Sequence, residues 1–433
     1  MARMISPIAK ILSAKRIILV AWGESKKSVV KNAVEQSITT NLPSSFLQNH
    51  SNCTFVLDSG SSIELTRIKT PWLVGSVNWN SDLKTRAINW LCNNTGKSVL
   101  RLSNNDYNQN NLSELLNNES VHDLNIEFFN RIQRTITGWP GGKSNSDDTY
   151  RPERAMPEVK RIIIFSPHPD DDVVSMGGTF DRLISQGHDV HVVYQTSGNI
   201  AVSNDSILKF LEVYSDVFNI KDDNLNISKK ILFNSNEILE DKFIREVATK
   251  IREKEALAAT RYLGLSDKNV HFLRLPFYET GKIIKNKPSE NDFDLMNQII
   301  LKIKPHQIYA AGDLADPHGT HAVCINILFR SLRKLKNQKF MNNCWVWLYR
   351  GAWHEWEVNE IEMAVPMSPA QVLKKRKSIF FHQSQNNSVM FQGDDKREFW
   401  ERVEERNRDI AKQYRKLGMA DYQAMETFKR YHF

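Results

Sequence analysis

The sequence predicts an α/β protein with a Rossmann-like, mostly parallel sheet flanked by helices, preceded by a partial α/β domain. Short apolar segments rich in β-branched residues alternate with longer segments of helical periodicity. Residues 161–194 read as strand, helix, glycine and strand, the pattern of a crossover between parallel strands. With 433 residues, the chain is too long for one compact core, so we expect more than one domain.

Residues 1–137 are predicted to form the smaller, partial domain. Its expected elements alternate along the chain: a strand at 16–21, a helix at 25–36, a strand at 54–58 and a helix at 84–92. A stretch rich in Gly, Ser and Asp follows without periodicity, so we expect an interdomain linker over residues 138–158.

Residues 159–433 are predicted to form the larger domain. Its expected elements are strands at 161–166, 189–194, 270–273 and 307–311 and helices at 173–186, 243–263 and 294–302. The charged C-terminal tail, residues 397–431, has the spacing of a helix with one buried stripe, so we expect it to be helical.

Composition excludes several classes of function. The net charge is +8, but no nucleic-acid-binding motif accompanies the basic segments 330–336 and 374–377, so we expect solvated helix faces and no nucleic-acid partner. A mildly basic surface that attracts phosphorylated substrates is the alternative. No apolar segment reaches the ~20 residues that span a bilayer. The four cysteines form no CxxC pair, which indicates reduced thiols and a cytoplasmic protein.

Two histidine clusters each follow a predicted strand. Pro167-His168-Pro169-Asp170-Asp171-Asp172 comes after the strand at 161–166, and Asp316-Pro-His318-Gly-Thr-His321 comes after the strand at 307–311. In α/β sheets, the carboxyl ends of the strands share one crevice. Imidazole and carboxylate are the ligands of catalytic zinc, so the two clusters predict a metal-dependent hydrolase site. A capped helix start is the alternative explanation for the first cluster alone.

The positions within the clusters suggest roles. His168 and Asp171 lie three residues apart in a turn that enters a helix, so both can bind one ion, and His321 completes the ligand set. Asp170 points in a different direction, as expected for a general base that is not a ligand. His318 is close enough in sequence to donate to a developing oxyanion.

The segment 160–382 resembles the PIG-L/LmbE-like family of zinc-dependent de-N-acetylases. The resemblance rests on the His-Pro-Asp-Asp turn, Thr196-Ser-Gly-Asn199, Arg252-Glu-Lys-Glu-Ala256 and the second histidine cluster. It implies zinc, with another divalent metal as the alternative, bound by His168, Asp171 and His321. It also implies Asp170 as the base and His318 as the group that stabilises the tetrahedral intermediate. The family commonly has Glu at the position of Asp172.

Substrate-binding candidates within this resemblance are Arg252, Tyr278, Arg350 and His382. An exposed ion pair between Arg252 and Glu255 is the alternative for the first of these. Aromatic core packing and loop structure are the alternatives for the other three.

The N-terminal part resembles the C-terminal third of glucosamine-6-phosphate deaminases, on residues 15–26, 41–48 and 56–58. Lys26 is matched to a lysine that holds the sugar phosphate, and a glycine turn that opens a helix offers N–H groups to phosphate. The catalytic residues of those deaminases lie outside the matched third. Either Met1 is an internal start of a longer deaminase–deacetylase fusion, or the deaminase half has degenerated.

These resemblances imply a cytoplasmic zinc-dependent hydrolase that removes the acetyl group from a small N-acetylglucosamine-type substrate. A glucosamine-6-phosphate deaminase/isomerase is the alternative, and we expect that activity to be absent from this chain. A sugar-sensing module that retains a metal site is a third hypothesis. The partial N-terminal sheet is expected to need support from the second domain or from a homo-oligomer.

Overall fold

A computed structural model describes residues 8–143, 151–219, 241–282, 284–312, 319–351, 354–386 and 397–433. The chain divides into two compact units, Met1–Phe128 and Phe129–Phe433, with the division inside a helix, Val121–Thr135. The linker expected at 138–158 remains a prediction.

The first unit contains a parallel pair of strands, β1 (Ile17–Ala21) and β2 (Cys53–Leu57). The helices of this region are α1 (Lys27–Glu35), α2 (Ser59–Ser62), α3 (Thr66–Lys69), α4 (Ser81–Thr95), α5 (Asn104–Gln109) and α6 (Val121–Thr135). The four expected elements are therefore confirmed to within a few residues. Asn80 caps α4 by accepting a hydrogen bond from Leu83 N at 2.8 Å, and Gly96 ends the helix in the left-handed region.

Among the described residues, the second unit contains a seven-stranded sheet, whose strand order is, by first residue, 270, 189, 161, 307, 345, 424 and 363. The strands are β3 (Arg161–Ser166), β4 (Asp189–Tyr194), β5 (Val270–Phe272), β6 (Gln307–Ala311), β7 (Trp345–Tyr349), β8 (Met363–Met367) and β9 (Ala424–Tyr431). The pairings from β5 to β7 are all parallel, and β9 runs antiparallel to both β7 and β8. The predicted α/β fold with a mostly parallel sheet is confirmed.

Helices cover this sheet, and their apolar faces bury its strands. The helices of this unit that follow α6 are α7 (Asp171–Ser185), α8 (Asn204–Phe218), α9 (Lys242–Leu263), α10 (Glu290–Ile303), α11 (Thr320–Leu335), α12 (Pro369–Phe380), α13 (Gln383–Asn386) and α14 (Phe399–Lys416). Within the described ranges, every helix is too short or too polar to span a bilayer.

The prediction of a helical C-terminal tail is wrong for its last part. Helix α14 ends at Lys416, Gly418 follows with φ of 101°, and residues 424–431 form strand β9. This strand lies between β7 and β8, and Ala424, Met425 and Phe428 are buried. Pairing with two neighbouring strands outweighs the local helical preference of a charged segment.

Helix α7 is interrupted at Met176, whose φ of −138° and ψ of 26° are not helical. The N–H groups of Gly178 and Thr179 donate to the Glu426 carboxylate at 3.0 and 2.6 Å. Lys375 neutralises this buried carboxylate at 2.6 Å. The Glu426 carboxylate therefore accepts hydrogen bonds from backbone N–H groups next to the interruption in α7. These bonds hold α7, which begins at the turn after β3, in place.

Candidate metal centre

The turn between β3 and α7 is fastened by the residues that flank it. Ser166 Oγ donates to the carbonyl of His168 at 2.6 Å and accepts a hydrogen bond from Asp172 N at 3.1 Å. From the end of the neighbouring strand, Thr196 Oγ1 donates to the carbonyl of Pro167 at 2.7 Å. These bonds hold the backbone that carries the first histidine cluster in one conformation.

Three of the predicted side chains converge at the carboxyl ends of β3 and β6. His168 Nδ1 lies 3.3 Å from Asp171 Oδ2, and His321 Nε2 lies 3.2 Å from the same oxygen. The two histidine nitrogens are 3.3 Å apart. Ligand atoms about 2.0–2.1 Å from a tetrahedral zinc are about 3.3–3.4 Å from one another. The three atoms therefore fit three corners of a zinc coordination sphere.

Two elements far apart in sequence supply these ligands. His168 and Asp171 belong to the turn and first residue of α7, and Asp171 Oδ2 also accepts the backbone N–H of His168 at 2.8 Å. His321 is the second residue of α11, directly after Gly319 with φ of 68° and Thr320. Burial raises the pKa of Asp171, but the adjacent His321 and His168 outweigh this effect and hold it below its usual range.

Asp170 is not part of this triangle and contacts Arg252 instead. Arg252 Nη2 lies 3.2 Å from Asp170 Oδ2, and the arginine side chain is 1% exposed. Gly198 makes room for this contact, because a Cβ there would lie 2.9 Å from Pro169 Cδ and 3.0 Å from Arg252 Nε. The alternative of an exposed ion pair between Arg252 and Glu255 is thereby excluded.

Asp172 is fully buried behind the turn. Its Oδ2 accepts a hydrogen bond from the hydroxyl of Tyr194 at 2.9 Å. Burial raises the pKa of Asp172 to about 7, against the opposing effect of Tyr194. The Asp172 carboxylate therefore contacts the hydroxyls of Ser166, at 3.3 Å, and Tyr194, and the Asp172 backbone N–H is bonded to the same Ser166 hydroxyl.

Glu255 lies one turn along α9 from Arg252 and contacts Ser384, near the C-terminal end of the described segment 354–386. Its two carboxylate oxygens accept hydrogen bonds from Ser384 N and Ser384 Oγ, both at 2.7 Å. His382, two residues earlier, is buried, and neither ring nitrogen has a hydrogen-bond partner within the described part of the chain. Burial lowers the pKa of His382 to about 4, and the charges of Asp170 and Arg252 also act on it. Burial therefore favours the neutral form of the His382 imidazole.

The other sequence candidates have different surroundings. The ring of Tyr278 meets the ring of His168 edge-on, with centroids 6.0 Å apart, so Tyr278 lies beside the ligand triangle. Arg350 directly follows β7, and its guanidinium lies 5.0 Å from the ring centroid of Trp356. His318 lies outside the described residues.

Lys26 belongs to the first unit, in the turn after β1. The N–H of Gly23 in this turn donates to both carboxylate oxygens of Asp58 at 3.1 Å. One N–H group expected to serve a phosphate is thus already used by a side chain of the chain itself. The role predicted for Lys26 remains a prediction.

Comparison with known proteins identifies a domain within the larger unit. Residues 163–331 match the model of the PIG-L family, described as GlcNAc-PI de-N-acetylase. These residues are a PIG-L domain. The ligand triangle lies within the match, since His168, Asp171 and His321 all fall inside its limits.

Two curated relatives extend the comparison beyond the PIG-L domain. A glucosamine-6-phosphate deaminase-like protein of Bacteroides thetaiotaomicron is 50% identical over 437 residues, covering 98% of this chain and 66% of that protein. A glucosamine-6-phosphate deaminase of Pediococcus pentosaceus is 39% identical over 59 residues, covering 14% of this chain and 25% of that enzyme. The chain thus spans only part of the length of both relatives.

Among solved structures, the chain is similar to N,N′-diacetylchitobiose deacetylase from Pyrococcus horikoshii. The identity is 21%, the TM-score is 0.41, and the similarity covers 66% of this chain and 87% of that one. At this level, the similarity does not bear on the activity of the PIG-L domain.

Sequence reasoning did not find the partners that support the site in the PIG-L domain. Tyr194 is the last residue of β4 and lies opposite Ser166 in the pairing of β3 with β4. A prediction of that pairing would therefore have placed Tyr194 next to the turn. No local signal links Glu255 to Ser384, because 128 residues separate them in the chain.

Proposed function

We propose that the PIG-L domain is a zinc-dependent hydrolase that removes the acetyl group from an N-acetylglucosamine-type small molecule. The observation that carries this proposal is the triangle of His168 Nδ1, Asp171 Oδ2 and His321 Nε2, with edges of 3.2–3.3 Å, next to a carboxylate that is not part of it. Three protein ligands with a nearby base are the arrangement of hydrolytic zinc sites.

Zinc, when bound, would polarise the acetyl carbonyl and lower the pKa of water to about 7. Asp170 is proposed to take the proton of the attacking water and to deliver it to the leaving nitrogen, which yields acetate and a free amine. Arg252 holds the Asp170 carboxylate in one orientation through the 3.2 Å contact. His318 is proposed, from the sequence resemblance, to donate a hydrogen bond to the oxyanion.

The names of the matched proteins support an amino-sugar substrate. The family description contains N-acetylglucosamine in abbreviated form, and both curated relatives are named after glucosamine 6-phosphate. Removal of the acetyl group from N-acetylglucosamine 6-phosphate would give the compound on which the second relative is named to act. A deaminase activity of this chain is not proposed, because its match to the Pediococcus enzyme covers 25% of that protein.

The test measures acetate release from N-acetylglucosamine, its 6-phosphate and N,N′-diacetylchitobiose. Zinc-loaded protein is compared with chelator-treated protein and with Asp170→Asn, which retains all three ligands. Asp205→Asn, an exposed carboxylate on α8, is the matched control. We expect zinc-dependent release that falls by about 10²–10⁴-fold in Asp170→Asn and not in the control.

Zinc stoichiometry separates the metal site from the choice of substrate. We expect one zinc per chain in the native protein and in Asp170→Asn, and a loss of zinc in His168→Ala and in His321→Ala. The His191–His271 pair, whose ring nitrogens lie 3.1 Å apart, provides His271→Asn as a control that should retain zinc. Unchanged zinc binding in both ligand variants would contradict the proposed site even if acetate is released.

A further inference from the structure

The two-stranded sheet of the first unit is incomplete as a parallel sheet. Strands β1 and β2 pair only with each other among the described residues, in parallel, with Ile18 opposite Thr54 and Val20 opposite Val56. Parallel sheets occur almost only with further strands and with helices on both faces. Within the described part of the chain, each of these strands has one edge without a partner strand.

One face of this sheet is apolar and exposed. Ile18 is 53% exposed, Val20 is 49% exposed and Val56 is 49% exposed, and all three lie on the same face by the alternation of the strands. Trp22, directly after β1, is 69% exposed. Four large apolar side chains on or next to one short sheet indicate a surface that another element covers.

The opposite face of the β1–β2 sheet is not fully buried either. Ile17, Leu19 and Phe55 on that face are only half-buried. Most of the buried apolar side chains of this unit lie on or near α4, α5 and α6, among them Ala87, Leu91, Val99, Tyr107 and Leu124, and α1 adds Val30 and Ala33. The strands therefore contribute little to the core of their own unit, although their residues are typical of buried strands.

The comparisons indicate a candidate for the element that covers this face. The region similar to the Pediococcus deaminase corresponds to 25% of that enzyme, and the Bacteroides relative contains a third of its length outside the match with this chain. A segment that corresponds to a quarter of an α/β fold contains only a minority of the strands and helices of that fold.

We propose that the apolar face and a free edge of the β1–β2 sheet are a docking surface for the rest of a glucosamine-6-phosphate deaminase-like α/β fold. That fold adds a parallel strand to the free edge and packs a helix over Ile18, Val20 and Val56. The occupant has the chemistry of the part of the Bacteroides relative that lies outside its match with this chain. This surface is independent of the metal centre, so neither proposal depends on the other.

The experiment joins the unmatched third of the Bacteroides relative to this chain in the order found in that relative. Hydrogen exchange is measured at the amides of residues 17–21 and 53–57, in the joined protein and in the chain alone. We expect the amides on the free edge to exchange at least about tenfold more slowly in the joined protein.

Substitutions on the face provide an independent readout. Val20→Asp is expected to lower the melting temperature of the joined protein by at least about 4 °C and to leave the chain alone unchanged. Val20→Thr, which retains the β-branch, should act in the same direction and more weakly. Val74 is a valine of the same unit that lies outside the sheet and is 63% exposed. Val74→Asp should therefore leave the melting temperature of both proteins unchanged.

Two results would overturn the proposal. The first is exchange at the two strands that is the same in the joined protein and in the chain alone. The second is slow exchange, or destabilisation by Val20→Asp, already in the chain alone. Sedimentation would then identify the actual occupant: a dimer indicates a second copy, and a monomer indicates cover from within the chain.

Discussion

The guanidinium of Arg252 lies 3.2 Å from the carboxylate of Asp170 and is almost completely buried. A buried charge of this kind is tolerated only with a partner, and the partner here is the proposed general base. The contact joins α9 to the turn after β3, so it orients the base relative to the ligand triangle.

Substitution of Arg252 tests this orientation. Arg252→Gln should lower kcat/KM by about 10²-fold, because a small displacement of a catalytic group has an effect of that size. Zinc content should stay at one per chain, and Arg252→Lys should restore part of kcat. Arg261→Gln, at the exposed end of the same helix, is the control. Loss of zinc in Arg252→Gln would show a structural role instead.

Glu255 is predicted to hold the segment that contains His382. Its carboxylate accepts two hydrogen bonds from Ser384, and Glu255→Gln replaces one accepting oxygen with a donor. We expect the free energy of unfolding to fall by about 1–3 kcal/mol in urea titrations.

A double-mutant cycle identifies the contact responsible. Ser384→Ala should destabilise the protein, and the double variant should lose less than the sum of the two single losses. Glu246→Gln, an exposed carboxylate on the same helix, should change stability by less than about 1 kcal/mol. Strict additivity of Glu255→Gln and Ser384→Ala would argue against the predicted coupling.

Gly178 allows α7 to pack closely on β8. A Cβ at this position would lie 2.2 Å from Met367 Sδ and 2.8 Å from Met367 Cγ. Gly178→Ala should therefore lower the free energy of unfolding by about 1–3 kcal/mol, as overpacking does. Gly138→Ala, where the nearest atom is 3.7 Å away, should cause little change in the same thermal or urea unfolding experiment.

We expect the protein to lose stability in acid because of two histidines, His188 before β4 and His306 before β6, that contact the start of β3. His188 Nδ1 accepts the N–H of Lys160, and His306 Nδ1 accepts the N–H of Arg161. Burial lowers the pKa of both histidines from 6.5 to about 4. Between these values the unfolded chain binds protons that the folded chain does not bind, so stability falls as the pH falls.

The full pKa shift would correspond to about 3 kcal/mol for each histidine, and partial exposure reduces the expected effect to about 1–2 kcal/mol. Urea unfolding at pH about 7 and about 5 measures the difference. In the double variant His188→Asn/His306→Asn, the free energy of unfolding should depend less on pH. His122→Asn, at an exposed site, should keep the pH dependence of the unsubstituted protein. An unchanged pH dependence in the double variant would contradict the assignment.

The sequence by itself determined the elements that depend on neighbouring residues. The apolar run 161–166 ends in Pro-His-Pro-Asp-Asp-Asp, and the chain does form a strand, a turn and a helix there. The proximity of His168 and Asp171 likewise follows from a spacing of three residues in a turn. Local backbone geometry is enough for such predictions, because the interacting groups are close together in the chain.

Tertiary structure decided the contacts between distant segments. The parallel pairing of β3 with β6 brings His321 to His168, and the packing of α9 brings Arg252 to Asp170. The charged residues 424–431 become a strand because two neighbouring strands pair with them. The strand pattern predicted that the two histidine clusters meet, but the Arg252–Asp170 contact and the strand at 424–431 depend on burial and pairing across the sheet, which no local pattern encodes.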